Sequence, residues 1–405
     1  MKKKVINDPV YGFVKLQGDL IFKVIEHPYF QRLRRIKQLG VSDYVYPGAN
    51  HTRFHHALGA SHLMKNTLDS LREKGHQISK NEYEATILAI LLHDIGHGPL
   101  SHALEYSLLS NIKHENISSL LISKLNEEFE GALETTIQIF NNTYPKFYLH
   151  QLVSSQLDID RLDYLNRDSF FTGVTEGTVG AERIIKMFDV VDNQLVVEEK
   201  GIYSVENFLN SRRLMYWQVY FHKTSISVET MIVQLIKRAK YLLVHTEKPV
   251  FLTTHLHSFF KNDIDFEKFS NDDKLIESFT QLDDVDIWSC IKEWQNSEDF
   301  ILSKLSKSIL QRNLFKTLIF SQKPEYEFIE NIKKGIVEKY SVSLEDLEYL
   351  FTFNVISNEA YVANKNNIMI HTKSNELKDI SDASDLPNIK SISQVVNKYV
   401  ISYLK

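Results

Sequence analysis

The run Leu91-Leu92-His93-Asp94-Ile95-Gly96-His97-Gly98-Pro99 drives an apolar helix straight into a histidine and a carboxylate, then stops it with glycines and a proline. His93, Asp94, His97, His102 and Glu105 follow one another closely, and each can bind metal or move a proton. Unpaired polar groups at the edge of a core would cost several kcal/mol of desolvation, which a bound metal ion removes. Nine of the 16 histidines lie between His51 and His114, far more than an even spread would put there. That clustering marks a metal or catalytic centre. His56, at the start of one helix, and Asp160, in Leu157-Asp158-Ile159-Asp160-Arg161-Leu162-Asp163-Tyr164, complete a set H…HD…D. Mixed imidazole and carboxylate ligands suit Mn²⁺, Fe²⁺, Zn²⁺, Co²⁺ or Ni²⁺. A second, harder Mg²⁺ would arrive with substrate phosphates. A lone buried histidine is usually a hydrogen-bonded core residue, and Asp158, Asp160 and Asp163 taken singly read as helix caps or a polar face.

Several helices must position these groups. One is expected from Arg53 to about Lys74, with Gly75 at its C-cap, and the most apolar from Glu82 to Ile95. Asn116 to Phe129 is amphipathic, and Leu149 to Asn166 has helical period. The first 50 residues read as an extended segment from Tyr11 to Leu16, a helix from about Leu20, and a basic helical patch Gln31-Arg32-Leu33-Arg34-Arg35. Asn193 to Tyr203 reads as a β-hairpin, and Val205 to about Val244 as one or two long helices. Strands are expected over Phe351–Ala363 and Asn367–Thr372, and a helix from Ser391. The fold class expected is mostly α, with a β-hairpin insertion and a smaller α+β C-terminal region. The division expected is a core over 1–250, with the metal motifs in 50–170, a helical connecting region over 251–325 and a small α+β region over 326–405.

A chain of 405 residues with 43% hydrophobic content is long enough for a large helical domain. Its net charge of -5 provides no global basic field for nucleic acid or anionic membrane. The run Arg32, Arg34, Arg35, Lys37 therefore reads as a solvated helix face or an oligomer contact. The single Cys290 excludes an intrachain disulfide and a cysteine metal site, and fits a reducing cytoplasm. Asn7-Asp8-Pro9 interrupts the lysine-rich start before any apolar segment forms, so no export signal is expected. Ile87 to Leu92 is too short to span a bilayer.

The ordered strings sharpen the set. Asn7-Asp8-Pro9-Val10-Tyr11-Gly12, Gln31-Arg32-Leu33-Arg34, Lys37-Gln38-Leu39-Gly40, Tyr46-Pro47-Gly48-Ala49, His51-Thr52-Arg53-Phe54-His55-His56, His93 to His102 and Asp158 to Tyr164 occur in that order. Together they resemble the HD-domain metal-dependent phosphohydrolases, and within them the deoxynucleoside triphosphate triphosphohydrolase branch. The resemblance covers about residues 4–240.

By motif position the resemblance implies His56, His93, Asp94 and Asp160 as metal ligands. It implies hydrolysis of dNTPs at the α-phosphorus to deoxynucleoside and inorganic triphosphate. A metal in such a cage lowers the pKa of bound water and polarises a phosphoryl oxygen. The 5′-oxygen leaving group needs a proton, for which His97, His102 and His114 hold family positions, with Glu105 to orient His97 or His114. General acid catalysis contributes roughly 10²–10⁴-fold. Arg53, Arg161, Arg212 and Lys223 match phosphate-contact positions, with Tyr164 adding a hydroxyl. Arg212, Tyr216, Tyr220 and Lys223 recur every three or four residues, as on one helix face. Gln38 and Asp168 match groups that hydrogen-bond the sugar 3′-hydroxyl, and Leu39 and Tyr220 those that pack on the 2′ carbon. An apolar wall there leaves a ribose 2′-hydroxyl unpaired and disfavours ribonucleotides.

The departures are specific. Tyr216 replaces a histidine that some members carry near the base, and Phe221 stands where the human member is polar. Lys4, Val5, Asn7, Gln31 and Arg34 match the guanine side of a regulatory nucleotide pocket, but Glu26 replaces Asp. Arg183 and Lys200 match phosphate-binding positions of a second regulatory nucleotide, while Glu198 falls where the human member is basic. An activating nucleotide with altered recognition and a homo-oligomer, dimer or tetramer, are the implied partners. Cleavage of monophosphates, cyclic nucleotides or alarmones, and a non-catalytic nucleotide-binding module, are the rival readings.

Overall fold

The structure, a computed structural model, describes residues 3–100, 109, 112–246, 248–261, 264–358, 361, 367–386 and 395–405. It begins with an antiparallel pair, β1 (Lys3–Asp8) and β2 (Gly12–Gln17). Asp8 Oδ1 accepts the Val10 and Tyr11 N–H groups and turns the chain between them. Helices α1 (Asp19–Glu26) and α2 (Pro28–Gln31) follow, then a 3₁₀ turn over Arg32–Arg35. The core is helical: α3 (Arg53–Glu73), α4 (Lys80–Leu92), α5 (His114–Glu128), α6 (Glu134–Phe140), α7 (Phe147–Val153) and α8 (Ile159–Thr172). The middle of α4 is buried from Ala85 to Leu92, as an apolar run with no polar stripe must be.

After α9 (Ala181–Met187) the chain forms the hairpin β3 (Phe188–Val191) and β4 (Gln194–Glu198). The hairpin comes earlier than the sequence pattern suggests. Asp192 and Asn193 both take positive φ, so they form its turn, and Ile202 already starts α10 (Ile202–Met215). A π-helical turn over Tyr216–Tyr220 leads into α11 (Lys223–His245). The expected span Leu149–Asn166 is likewise two helices. Asp158 accepts the Ser155 and Arg161 N–H groups, so α8 starts afresh at Ile159.

Beyond α11, helices that include Asp284–Trp294 and Phe300–Leu310 lead to β5 (Lys316–Phe320). β6 (Phe351–Asn358) is the observed part of the strand expected over Phe351–Ala363. β7 (Met369–His371) pairs parallel with β4 and antiparallel with β8 (Leu377–Asp379), giving one sheet in the order β3-β4-β7-β8. The end of the chain is a strand, not the expected helix. β9 (Val396–Tyr403) lies between β5 and β6, where its β-branched and aromatic residues fill a central position. The fold class is mostly α with small β regions. Among the described residues no helix is long and apolar enough to cross a membrane.

Candidate functional site

Three helix ends bring the H…HD…D residues together. α3 starts where the Thr52 N–H donates to His55 Nδ1 at 3.1 Å, which sets Arg53 and His56 in the first turn. α4 is nucleated by a capping box in which Ser79 and Glu82 exchange hydrogen bonds, and His93 caps its far end. The Ser118 hydroxyl of α5 donates to His93 O at 2.7 Å and accepts the Gly96 N–H at 2.9 Å, tying off that end. Gly96 has no alternative there, because a Cβ would sit 2.3 Å from His114 O. α8 contributes Asp160 from its first turn.

His56 Nε2 lies 3.3 Å from His93 Nε2 and 3.1 Å from Asp160 Oδ1, and His93 Nε2 lies 3.4 Å from the same oxygen. Asp94 Oδ1 is 3.3 Å from His93 Nε2, and Asp94 Oδ2 is 3.9 Å from His56 Nε2. The other nitrogen of each ring has its own acceptor. His56 Nδ1 meets Asp163 Oδ2 at 2.7 Å, and His93 Nδ1 meets Ile90 O at 2.7 Å. These acceptors put the proton on Nδ1 of each neutral ring and turn both Nε2 lone pairs inward beside a carboxylate. A divalent cation relieves that repulsion, so the donor set fits a metal. Without one, a proton must do so: burial works against charging His56, but Asp160 and Asp163 push its pKa up to about 10. His93 is also raised, by Asp94 and Asp160 against burial.

A second cluster adjoins the first. Asp94 Oδ1 is 3.4 Å from His97 Nε2, and the His97 and His114 rings stack with centroids 3.7 Å apart. Burial, then the Arg53 charge, holds His97 well below the usual histidine range. Arg53, hydrogen-bonded to Asp94, overcomes burial and with His93 and His97 keeps that carboxylate ionised. His102 and Glu105 lie outside the described residues.

A family model described as the HD domain matches residues 53–168, and one described as the HD associated region matches 179–248. Protein YwfO of Bacillus subtilis is 34% identical over 367 residues, covering 86% of this chain and 82% of that protein. A solved phosphohydrolase from Bacteroides thetaiotaomicron aligns with a TM-score of 0.95 at 47% identity, each chain covered in full. The chain belongs to the HD-domain phosphohydrolases. Human deoxynucleoside triphosphate triphosphohydrolase SAMHD1 is also similar, 30% identical over 58% of this chain and 44% of its own length.

The HD cluster opens on a cavity of about 1350 Å³ lined by Gln38, Leu39, Arg53, His93, Asp94, His97, His114, Asp160, Arg161, Tyr164, Asp168, Tyr216 and Tyr220. Asp160, Tyr164 and Asp168 stand at i, i+4 and i+8 on α8, so they share a face and span about 12 Å of helix axis. Asp168 accepts the Tyr220 hydroxyl at 2.8 Å and faces His51 Nε2 at 2.7 Å. Gln38 Oε1 is buried with no hydrogen-bond partner among the described residues. Arg161 is paired with Asp158. Burial, with Tyr216 adding, raises the Tyr164 phenol far above its usual value, so it stays a hydroxyl.

The expected single face of Arg212, Tyr216, Tyr220 and Lys223 is not one helix face, because the π turn and the bend at Phe221–His222 separate α10 from α11. Arg212 is buried near Tyr216, its guanidinium 5.9 Å from the ring centroid. Lys223 is exposed at the first position of α11 and is not among the cavity-lining residues. The residues matched to regulatory nucleotides fall in two places. Lys4, Val5 and Asn7 are exposed on β1, and Glu26 ends α1. Gln31 accepts from Arg34 Nε at 2.8 Å, and Arg34 stacks on Phe54. Arg183 donates to Lys200 O at 3.4 Å, while Lys200 pairs with Glu198 at 2.6 Å.

Sequence reasoning missed the tier behind the ligands. Asp163 grips Arg167 through two hydrogen bonds, at 2.9 and 3.0 Å, and Arg167 reaches Asp8 at 2.8 Å. Asp163 lies three residues after Asp160, and Arg167 four further on, a helical spacing that signals the pair. Arg32, expected on a solvated face, is 1% exposed. Its guanidinium donates to Ile95 O, His97 O and Leu282 O at 2.8 to 3.0 Å and so anchors the loop after His93-Asp94. Burial lowers its pKa to about 10, which leaves it charged at neutral pH.

Proposed function

We propose that this HD-domain phosphohydrolase cleaves dNTPs at the α-phosphorus, releasing deoxynucleoside and intact triphosphate. The observation that carries the reading is the shared cavity, in which one face of α8 presents Asp160 to the HD cluster and Asp168 to Tyr220. In this reading His56, His93, Asp94 and Asp160 hold a divalent transition metal, which supplies Lewis acidity at a phosphoryl oxygen. Arg53 and Arg161 compensate phosphate charge, Tyr164 donates a hydroxyl, and Mg²⁺ accompanies the phosphates. Arg212, 5.9 Å from the Tyr216 ring centroid, and Lys223, at the first position of α11, are the further cations of this reading. His114, stacked on His97, or His97 once the phosphate charge raises its proton affinity, gives a proton to the 5′-oxygen as it leaves. Gln38 Oε1 accepts from the 3′-hydroxyl, and Leu39 with Tyr220 closes on the 2′ carbon. A ribose hydroxyl there would lose its water without gaining a partner.

The SAMHD1 likeness supports a nucleotide substrate, and the cavity volume accommodates one whole. A homo-oligomer and an activating nucleotide at the Lys4–Arg34 or Arg183–Lys200 positions belong to the same reading. The test is ion chromatography of products made by the purified protein with Mn²⁺ and each dNTP. Inorganic triphosphate is expected; orthophosphate or pyrophosphate alone would overturn the reading. A panel with dNMPs and cyclic dinucleotides separates the rival phosphohydrolase activities.

A further inference from the structure

Asp284 lies far from the HD motifs in sequence, in a stretch without a motif of its own, yet its carboxylate bridges two loops of the cavity. Oδ1 accepts the Leu100 N–H at 2.7 Å, and Oδ2 accepts the Lys37 N–H at 2.9 Å. Leu100, in the loop that follows His93-Asp94, holds a positive φ of 53°, a conformation a leucine keeps only where its surroundings fix it. Lys37 precedes Gln38 and Leu39, and the Gln38 N–H in turn donates to His51 O at 3.0 Å. The two loops touch directly as well, since a Cβ on Gly40 would lie 3.4 Å from Leu100 O. Asp284 itself is 5% exposed. Burial raises its pKa to about 6, against the pull of the two N–H donors, so the carboxylate is ionised at neutral pH.

We propose that Asp284 is a positioning residue that locks the loop carrying His97 to the loop carrying Gln38 and Leu39, and so sets the distance between the reacting phosphate and the sugar. The proposal rests on the function proposed above for what the two loops hold. One carboxylate gives each loop one charge-assisted hydrogen bond, so neither shifts without the other. His56 is anchored on Asp163, His93 on Ile90 O, and Asp94, at the start of the loop, on Arg53, so bound metal is expected to survive loss of the bridge.

Two variants and one control test it. Asp284→Ala removes both acceptors, and Asp284→Asn keeps one but turns an amide NH₂ toward the other donor. Asp283→Asn, one residue away, loses the ion pair to Arg35 but leaves both Asp284 hydrogen bonds, to Leu100 and to Lys37, in place. In hydrogen–deuterium exchange, Asp284→Ala should speed exchange in peptides spanning 36–40 and 95–100 together, by about tenfold or more, and Asp283→Asn should not. Loosening of one loop alone, or of neither, overturns the proposal whatever the protein hydrolyses. In activity, both Asp284 variants should lose about 10–100-fold in kcat/KM, the range typical of outer residues that orient a site. Their preference for dNTP over rNTP should narrow while bound metal stays constant. Losses equal to those of Asp283→Asn, with sugar preference intact, overturn it. If the unmodified protein releases triphosphate from no nucleotide, the proposed function fails, and the exchange result still decides the bridge.

Discussion

Replacing Gly59 with alanine strikes the support of His56 without touching a ligand. Gly59 lies one turn after His56 on α3, where the helix presses against α8. A Cβ there would be 1.9 Å from Arg167 Nη2, 2.1 Å from Asp163 Oδ1 and 3.0 Å from Arg167 Cζ. No methyl fits at those distances, and neither partner has free space, since both side chains are fully buried. The Asp163–Arg167 pair must open. Breaking a buried ion pair costs about 3–5 kcal/mol, and alanine returns about 1 kcal/mol of helix propensity over glycine. A net loss of roughly 2–4 kcal/mol follows from those two figures. The carboxylate that leaves Arg167 also leaves His56 Nδ1, so the ring loses the acceptor that fixes its tautomer. Loss of such a partner typically weakens metal binding by about 10–100-fold. Urea unfolding measures the first effect, and metal content after dialysis at graded free Mn²⁺ the second. A Gly59→Ala protein as stable as the parent, with unchanged metal affinity, would refute the reasoning. So would a loss of stability without loss of affinity, since the ion pair and the histidine share one carboxylate.

Arg32→Met should destabilise by about 3–5 kcal/mol, because the carbonyls of Ile95, His97 and Leu282 lose a common buried donor; Arg32→Lys should rescue little, having no planar fork, and full rescue in urea melts would contradict this. Glu82 is held below the usual glutamate pKa despite burial, by Lys146, the Ser79 N–H and Tyr144. Its contribution is full above the unfolded value of about 4.3 and is lost as pH falls through the depressed folded value. Glu82→Gln should therefore cost about 1–2 kcal/mol at pH 7 and flatten the acid limb of the stability curve; identical pH slopes in the two proteins count against the cap. A chelator should lower the thermal midpoint and Mn²⁺ should restore it, because the ion binds the folded cage alone; a midpoint indifferent to both would contradict a metal at His56 and His93.

The helices and the ligand cluster were legible because their signals are local. Apolar period marks α3 and α4, and a histidine beside a carboxylate at a helix end is conspicuous in any chain. The hairpin lies earlier than the pattern suggests because Asp192-Asn193 is its turn, while the polar run Glu199 to Gly201, which the pattern includes in the hairpin, is a helical turn leading into α10. β9 was read as a helix because Val396 to Tyr403 has no alternating polarity; it is a central strand, flanked on both edges. Arg32 was misread because a buried arginine cannot be told from a surface one without its acceptors, and those lie 63, 65 and 250 residues away. Asp284 gave no signal at all, since both of its partners are backbone N–H groups.

The charges around the cage bear on why it requires a cation at all. Asp8 and Asp163 share one guanidinium, that of Arg167, and Asp94 has that of Arg53. Asp160 meets the rings of His56 and His93 and, among the described residues, forms an ion pair with no guanidinium or ammonium. With both rings neutral, four carboxylates face two arginines, and the cluster carries two negative charges in a poorly solvated place. Two excess charges among buried groups are costly unless compensated. One divalent ion supplies the balance, at the point where both Nε2 lone pairs already converge. Protonating both histidines would balance the count equally well, but it would aim two N–H groups at each other across 3.3 Å. Acidification and metal removal therefore act on the same groups, and stripping the metal from the folded protein at neutral pH should be accompanied by net proton uptake.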